Sequence, residues 1–331
     1  MLYIEPKSND AAFHFSVEEY VVRHYPFGEP VMMIWQADNC AMLGNNQVAE
    51  AEIDIACAKE AGIQITRRSS GGGTIFTDMG TLLYTMILPY TEEEYPLQIA
   101  KEKLAAPVVE ALNNLGIPAK IEGRNDILVE GKKVSGLAQY ARHGRICTHG
   151  SLLYDADLET LAQVLRVDNE KISSKALQSV RSRVTNMKEH MNTPCSTQEF
   201  WDLLKEQLFS TWQIREYALT EEDLAQVSQI FEEKYGNPAW TLGETPKFSF
   251  QNSKRFPGGK VEIYLDIAKG TVASCSIRGD FLGIAPVRDL EERLEGKLFQ
   301  QEVFNEALSD FSLQPYLGSI TKDEFLSCIF D

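Results

Sequence analysis

Apolar residues recur at helical spacing over residues 11–24, 48–61 and 95–115, and the last pattern stops at Gly116 and Pro118, the expected end of a helix. Between the first two lies Val31-Met32-Met33-Ile34-Trp35, a short apolar run that predicts a buried strand. Residues 62–66 and 81–88 predict two more strands, the second ending at Pro89. From 119 to 155 the pattern breaks into short strands at 119–121, 126–129, 133–135 and 150–154, with Glu130-Gly131-Lys132 as a hairpin turn. Helical spacing returns over 157–165, 197–212 and 221–235, the second opened by the cap sequence Ser196-Thr197-Gln198-Glu199. A polar stretch, 168–194, is longer than an ordinary connection and predicts a functional loop.

Gly236-Asn237-Pro238 and Gly243-Glu244-Thr245-Pro246 then punctuate the chain. Beyond them, 248–250, 259–265 and 270–277 predict a small antiparallel sheet followed by two helices. The expectation is an α+β protein with a large domain over 1–245 and a small one over 246–331.

Composition narrows what these domains do. Of 331 residues 44% are hydrophobic and 24% charged, which are values of a folded globular chain. No run approaches the ~18 apolar residues of a membrane span, and Met1-Leu2-Tyr3-Ile4-Glu5-Pro6-Lys7 lacks the charged and apolar regions of an export signal, so a cytoplasmic protein with no membrane partner is expected. A net charge of −16 argues against nucleic acid as a partner. Six scattered cysteines and five histidines form no metal-binding or disulfide spacing.

Against this acidic background the run Arg67-Arg68-Ser69-Ser70-Gly71-Gly72-Gly73-Thr74-Ile75-Phe76-Thr77-Asp78 stands out. Glycine admits close backbone approach, successive N–H groups make an anion-binding concavity, and a guanidinium grips a carboxylate or phosphate with two parallel bonds. Taken alone, the run fits a flexible hairpin loop equally well. It is neither the G-x-x-x-x-G-K-[ST] phosphate loop nor G-x-G-x-x-G, since Phe76 holds the last position. Arg67-Arg68, Lys132-Lys133, Arg142 with Arg145, and Arg181 with Arg183 are the basic clusters of the first 190 or so residues, and their convergence on one anionic ligand is expected.

These stretches together resemble the lipoate–protein ligase A family. The resemblance rests on the arginine and glycine run with Asp78, on Gly123-Arg124-Asn125-Asp126-Ile127, on Lys133-Val134-Ser135-Gly136-Leu137-Ala138, and on His149-Gly150-Ser151-Leu152-Leu153. It continues through Ser179-Val180-Arg181-Ser182-Arg183-Val184-Thr185-Asn186 and Tyr235-Gly236-Asn237-Pro238-Ala239-Trp240-Thr241, and so spans nearly the whole chain. It implies the fold shared with biotin–protein ligases. It also implies an activity in which lipoate and ATP form lipoyl-adenylate, and the lipoyl group passes to a lysine of a lipoyl domain in 2-oxoacid dehydrogenase complexes or of the glycine cleavage H protein.

The resemblance assigns roles by position. Lys133 is the catalytic cation touching both the acid and the α-phosphate. Arg68, Gly73, Thr74, Ile75, Phe76, Asn125, Asp126, Arg181 and Arg183 join it around ATP or the adenylate, with Arg181 and Arg183 on a loop that closes over the intermediate. Arg68, Ser70, Gly71, Gly72, Gly136 and His149 join it around lipoate, Ser69 lends support, and Phe76, Leu83, Tyr84, Val134 and Leu137 are candidates for an apolar slot. Asp126 is the candidate ligand of Mg2+ on ATP. Thr77 stands where relatives often carry histidine, which removes any role that needs an imidazole there. A monomer is expected. Three rival readings are an ATP-independent octanoyl or lipoyl transferase with Cys147 as thioester nucleophile, a non-catalytic protein that binds lipoyl domains, and a biotin ligase. The Lys133 to Gly136 and Arg181 to Asn186 stretches fit lipoate better than biotin.

Overall fold

The computed structural model describes residues 1–24, 28–91, 94–164, 183–243, 246 and 248–330. Its strands are β1 (Leu2–Ile4), β2 (Val31–Trp35), β3 (Cys40–Leu43), β4 (Gln64–Arg67), β5 (Ile75–Thr77), β6 (Thr81–Pro89), β7 (Ala119–Glu122), β8 (Asp126–Val129), β9 (Lys132–Arg142), β10 (Arg145–Leu153), β11 (Arg215–Glu216), β12 (Phe250–Phe256), β13 (Gly259–Ala268) and β14 (Thr271–Gly279). A mixed eight-stranded sheet runs β11-β1-β2-β6-β10-β9-β8-β7, and β4-β3-β5 and β12-β13-β14 form two smaller sheets.

The large sheet is covered on both faces, which is why β2 and β6 read as continuous apolar runs. Val31, Met33, Trp35, Leu83 and Ile87 pack toward the helix Ala11–His24, whereas Met32, Ile34, Leu82, Tyr84 and Met86 pack toward the helices that precede β7 and follow β10. One-residue alternation along each strand sorts these side chains between the two cores.

Several elements depart from the periodicity reading. The helix expected over 48–61 is two short ones, Ala49–Glu52 and Ile55–Glu60, because the Asp54 side chain accepts from Cys57 N and starts a new helix. Within 95–115 the turns Ala100–Ala105 are widened, and Pro107, which has no N–H to donate, comes two residues after them. The strands cut at 135 and resumed at 150 are one long hairpin, β9 and β10, turned by His143 and Gly144 at φ of 53° and 69°. Four helices, not two, follow β14: Arg288–Leu294, Gln301–Ala307, Gln314–Leu317 and Lys322–Phe330. Positive-φ glycines at Gly296 and Gly318 interrupt the pattern there.

The C-terminal elements press onto the rest through Gly279–Ile284. Gly279 N donates to Asn46 O at 2.9 Å, Gly72 N to Phe281 O at 3.1 Å and Ala141 N to Ile284 O at 3.0 Å.

Candidate active site

The run from Arg67 to Gly73 leaves β4 and returns to β5, so it wraps one end of the small sheet. Its two arginines are buried, and burial lowers both guanidinium pKa values to about 10. Arg67 donates to Gly44, Asn45 and Gln47 carbonyls at 2.7–3.2 Å and to those of Trp240, Thr241 and Leu242 at 3.0–3.2 Å. It thereby satisfies the last carbonyls of the helix Pro238–Leu242. Arg67 is a brace between segments far apart in sequence.

Arg68 acts within the turn itself. Its Nη2 donates to Gly71 O at 2.9 Å and Gly73 O at 2.7 Å, its Nη1 to Met42 O at 2.9 Å and its Nε to Ser70 Oγ at 3.1 Å. The fork expected to grip an anion is directed at main-chain carbonyls in this structure, so it shapes the glycine turn. Gly72 takes φ +91°, and a Cβ on Gly71 would lie 2.6 Å from Phe281 O. Close approach here is to the C-terminal segment.

Lys133 sits on β9 across a bulge. Ile127 pairs with Ser135 but Leu128 pairs with Lys133, so one residue of β9 is extra. Val134 and Ser135 then turn into the core, Ser135 Oγ meeting Tyr84 OH at 2.9 Å, while Lys133 and Gly136, three apart, share the cavity face. Strict alternation would have separated them. Lys133 Nζ lies 2.8 Å from Asp126 Oδ1, at an oblique angle that makes it a charge contact and not an aligned hydrogen bond. Thr185 N donates to Lys133 O at 3.2 Å, which stitches the end of the 168–194 stretch to this strand. Asn125 is pinned to β9 by its Nδ2, 2.7 Å from Leu137 O.

A cavity of about 190 Å³ joins these parts. Of the residues expected from sequence it is lined by Arg68, Gly72, Gly73, Thr74, Ile75, Leu83, Asn125, Lys133, Gly136, Leu137 and His149. Others lie elsewhere. Phe76, on the opposite face of β5 from Ile75, packs in a separate core with Leu43 and Ile53, and Tyr84 and Val134 are in the main core. Ser70 is buried behind the wall, and Gly71 lies beneath Phe281.

Phe15, Trp35, Met42 and Leu282 complete the lining with no signal in the sequence beyond apolarity, and Ala138, Gly150 and Ser151 join them from stretches that carried the resemblance without being given a role. A Cβ on Gly150 would meet the Tyr84 ring at 2.7 Å, which explains a glycine in mid-strand.

The expected convergence of basic clusters is only partial. Arg68 and Lys133 reach the cavity; Lys132 and Arg142 are exposed, and Arg145 donates to Val22 O at 2.9 Å. Arg183 is exposed, and Arg181 lies outside the described residues, as does most of the expected closing loop.

His149 stands between two partners: Nε2 is 2.7 Å from Ser70 Oγ, and Nδ1 is 3.1 and 3.3 Å from the Glu18 carboxylate oxygens. Cys147, two residues earlier on β10, is fully buried, and burial with the nearby Glu18 charge pushes its thiol well above the ordinary range. A thiol so held is a poor source of thiolate, which weighs against the cysteine transferase. Glu18, Cys147 and His149 place ligand-type atoms within 4.8 Å of one another, and hydrogen bonds to the carboxylate account for that grouping.

A largely apolar cavity lined in part by the glycine turn and by Lys133, with Asp126 2.8 Å from that lysine, suits an enzyme that joins an acid to a nucleotide phosphate. Comparison with known proteins is specific. A family model for the lipoyl protein ligase A/B catalytic domain matches residues 10–209, and one for the bacterial lipoate protein ligase C-terminus matches residues 245–329. Lipoate-protein ligase LplJ of Bacillus subtilis (strain 168) is 36% identical over 334 residues, covering 100% of each chain.

Two solved structures are also similar. A bi-partite lipoate protein ligase from Thermoplasma acidophilum, studied with its E2 lipoyl domain, superposes with a TM-score of 0.66 at 28% identity, covering 75% of this chain and 98% of that one. A lipoate-protein ligase A bound with ATP gives 0.62 at 26% identity, with 73% and 98% covered. The chain belongs to the lipoate–protein ligase family. Among the described residues no helix is long and apolar enough to cross a membrane.

Proposed function

We propose that this enzyme condenses lipoate with ATP, releasing pyrophosphate, and then passes the lipoyl group from the adenylate to a lysine amine of a lipoyl domain. The observation that carries the reading is Lys133, held 2.8 Å from Asp126 at the cavity wall facing the glycine turn. Attack of a carboxylate oxygen on the α-phosphorus brings two anions together, and a fixed cation between them lowers that cost. In the second half, the amine nitrogen attacks the mixed-anhydride carbonyl and AMP departs with the bonding pair. Lys133 is the group assigned to both the acyl oxygen and the α-phosphate; Gly73, Thr74 and Ile75 are assigned to the nucleotide, and His149, Gly72 and Gly136 to the acid.

ATP use is supported by the nucleotide bound in a relative, and a lipoyl-domain acceptor by the domain studied with the Thermoplasma enzyme. Mg2+ would enter with ATP. It keeps several waters and takes one or two carboxylates besides the phosphates, which is what a single Asp126 can offer.

The test is acid-dependent exchange of pyrophosphate into ATP with lipoate, octanoate and biotin, in wild type and in Lys133→Ala. Exchange driven by lipoate and reduced at least about a hundredfold in the variant is expected. Absence of exchange with all three acids would remove the adenylating reading.

A further inference from the structure

We infer that Glu18 is a positioning residue that reaches the glycine turn through His149 and Ser70. Glu18 lies on the helix Ala11–His24, is buried, and accepts Thr85 Oγ1 at 2.5 Å on the same oxygen, Oε1, that lies 3.3 Å from His149. Its other oxygen is 3.1 Å from His149 Nδ1. A carboxylate only accepts, so Nδ1 carries a ring proton; with that as the ring's single proton, Nε2 is left as an acceptor.

The direction of the next bond follows. Nε2 faces Ser70 Oγ at 2.7 Å, and Arg68 Nε, which can only donate, faces the same oxygen at 3.1 Å. Ser70 therefore accepts from Arg68 and donates to His149. Arg68 in turn holds the Gly71 and Gly73 carbonyls. The accepting oxygens of Glu18 thus select an imidazole tautomer, the tautomer sets the serine hydroxyl, and the hydroxyl seats the guanidinium that shapes the turn.

Replacing Glu18 with Gln leaves the shape and reverses the logic. Thr85 keeps donating to the amide oxygen, so the amide NH2 takes the place of the second oxygen and donates to Nδ1. The ring proton moves to Nε2, and Ser70 Oγ then faces two donors with its own proton displaced in a buried site. An amide for a carboxylate behind an imidazole produces this wrong tautomer elsewhere.

The inference rests on the ligase reading for its kinetic readout only. In full-length E18Q, nitrogen-15 NMR of the His149 ring reads the tautomer directly, and lipoate-dependent pyrophosphate exchange reads the consequence. The expected result is a change from Nδ1–H to Nε2–H, with kcat for exchange down about tenfold to a hundredfold and KM for ATP within twofold. In a Ser70→Ala background the further loss from E18Q should shrink to less than about twofold, because the acceptor it acts through is gone.

An unchanged Nδ1–H tautomer in E18Q, or the same kcat loss from E18Q with and without Ser70, would overturn the relay. If wild type shows no exchange with lipoate, the ligase reading fails while the NMR result still decides the tautomer.

Discussion

A Cβ added to Gly136 would lie 2.8 Å from Lys133 Nζ and 2.9 Å from its Cε, so the lysine side chain lies across the glycine. The bulge in β9 creates this relationship, and the absent side chain is what lets the ammonium rest against Asp126. Because the clash is with the far end of a flexible side chain, Gly136→Ala should fold normally while displacing the cation. The expected outcome is a kcat for exchange about tenfold lower, with a melting temperature within ~2 °C of wild type. Unchanged kinetics would show that the position of Lys133 against Gly136 does not matter.

Arg67→Lys tests the brace. A lysine keeps a positive charge but cannot span carbonyls on both sides with its three donors, so buried acceptors lose partners. A loss of about 2–4 kcal/mol in unfolding free energy is expected, read by denaturant titration. Stability within 0.5 kcal/mol or so of wild type would mean that water replaces those bonds.

Cys147→Ser separates ligase from transferase. The thiol is buried away from the cavity lining, so the variant should retain acid-dependent exchange within about threefold and lose roughly 1 kcal/mol of stability from burying a hydroxyl. Complete loss of lipoyl transfer in a folded variant would revive a cysteine intermediate.

Glu52 gives a pH dependence with a definite sign. Burial first, then the Asp280 and Glu262 carboxylates of the C-terminal segment, raise its pKa from 4.5 to about 7. The folded state therefore holds this proton more tightly than the unfolded chain does. The stabilisation is full below about 4.5 and is lost as pH rises toward about 7. Glu52→Gln should stabilise the protein by about 1–2 kcal/mol at pH 8 and by little at pH 5. Equal effects at both pH values, by calorimetry, would exclude a raised Glu52.

Local elements and the chemical inventory were legible along the chain. Alternation and periodicity located the helix Ala11–His24 and the strand Val31–Trp35, because a chain buried on both faces must write that burial into consecutive side chains. The capping residues Ser196 and Glu199 likewise announced the helix Thr197–Thr211, since a cap is a contact between near neighbours. Resemblance to a family supplied the reaction and picked out Lys133.

How these residues are used is set by the assembled fold. Nothing local distinguishes Arg67 from Arg68, yet one binds carbonyls of a helix some 170 positions away and the other folds the glycine turn back on itself. Leu282 enters the cavity from the C-terminal segment, and Glu18 meets His149 from 131 positions away. The side-chain pattern encodes which face of an element is apolar. Which buried donor meets which acceptor depends on packing between elements far apart in the chain, and only the assembled fold sets those distances.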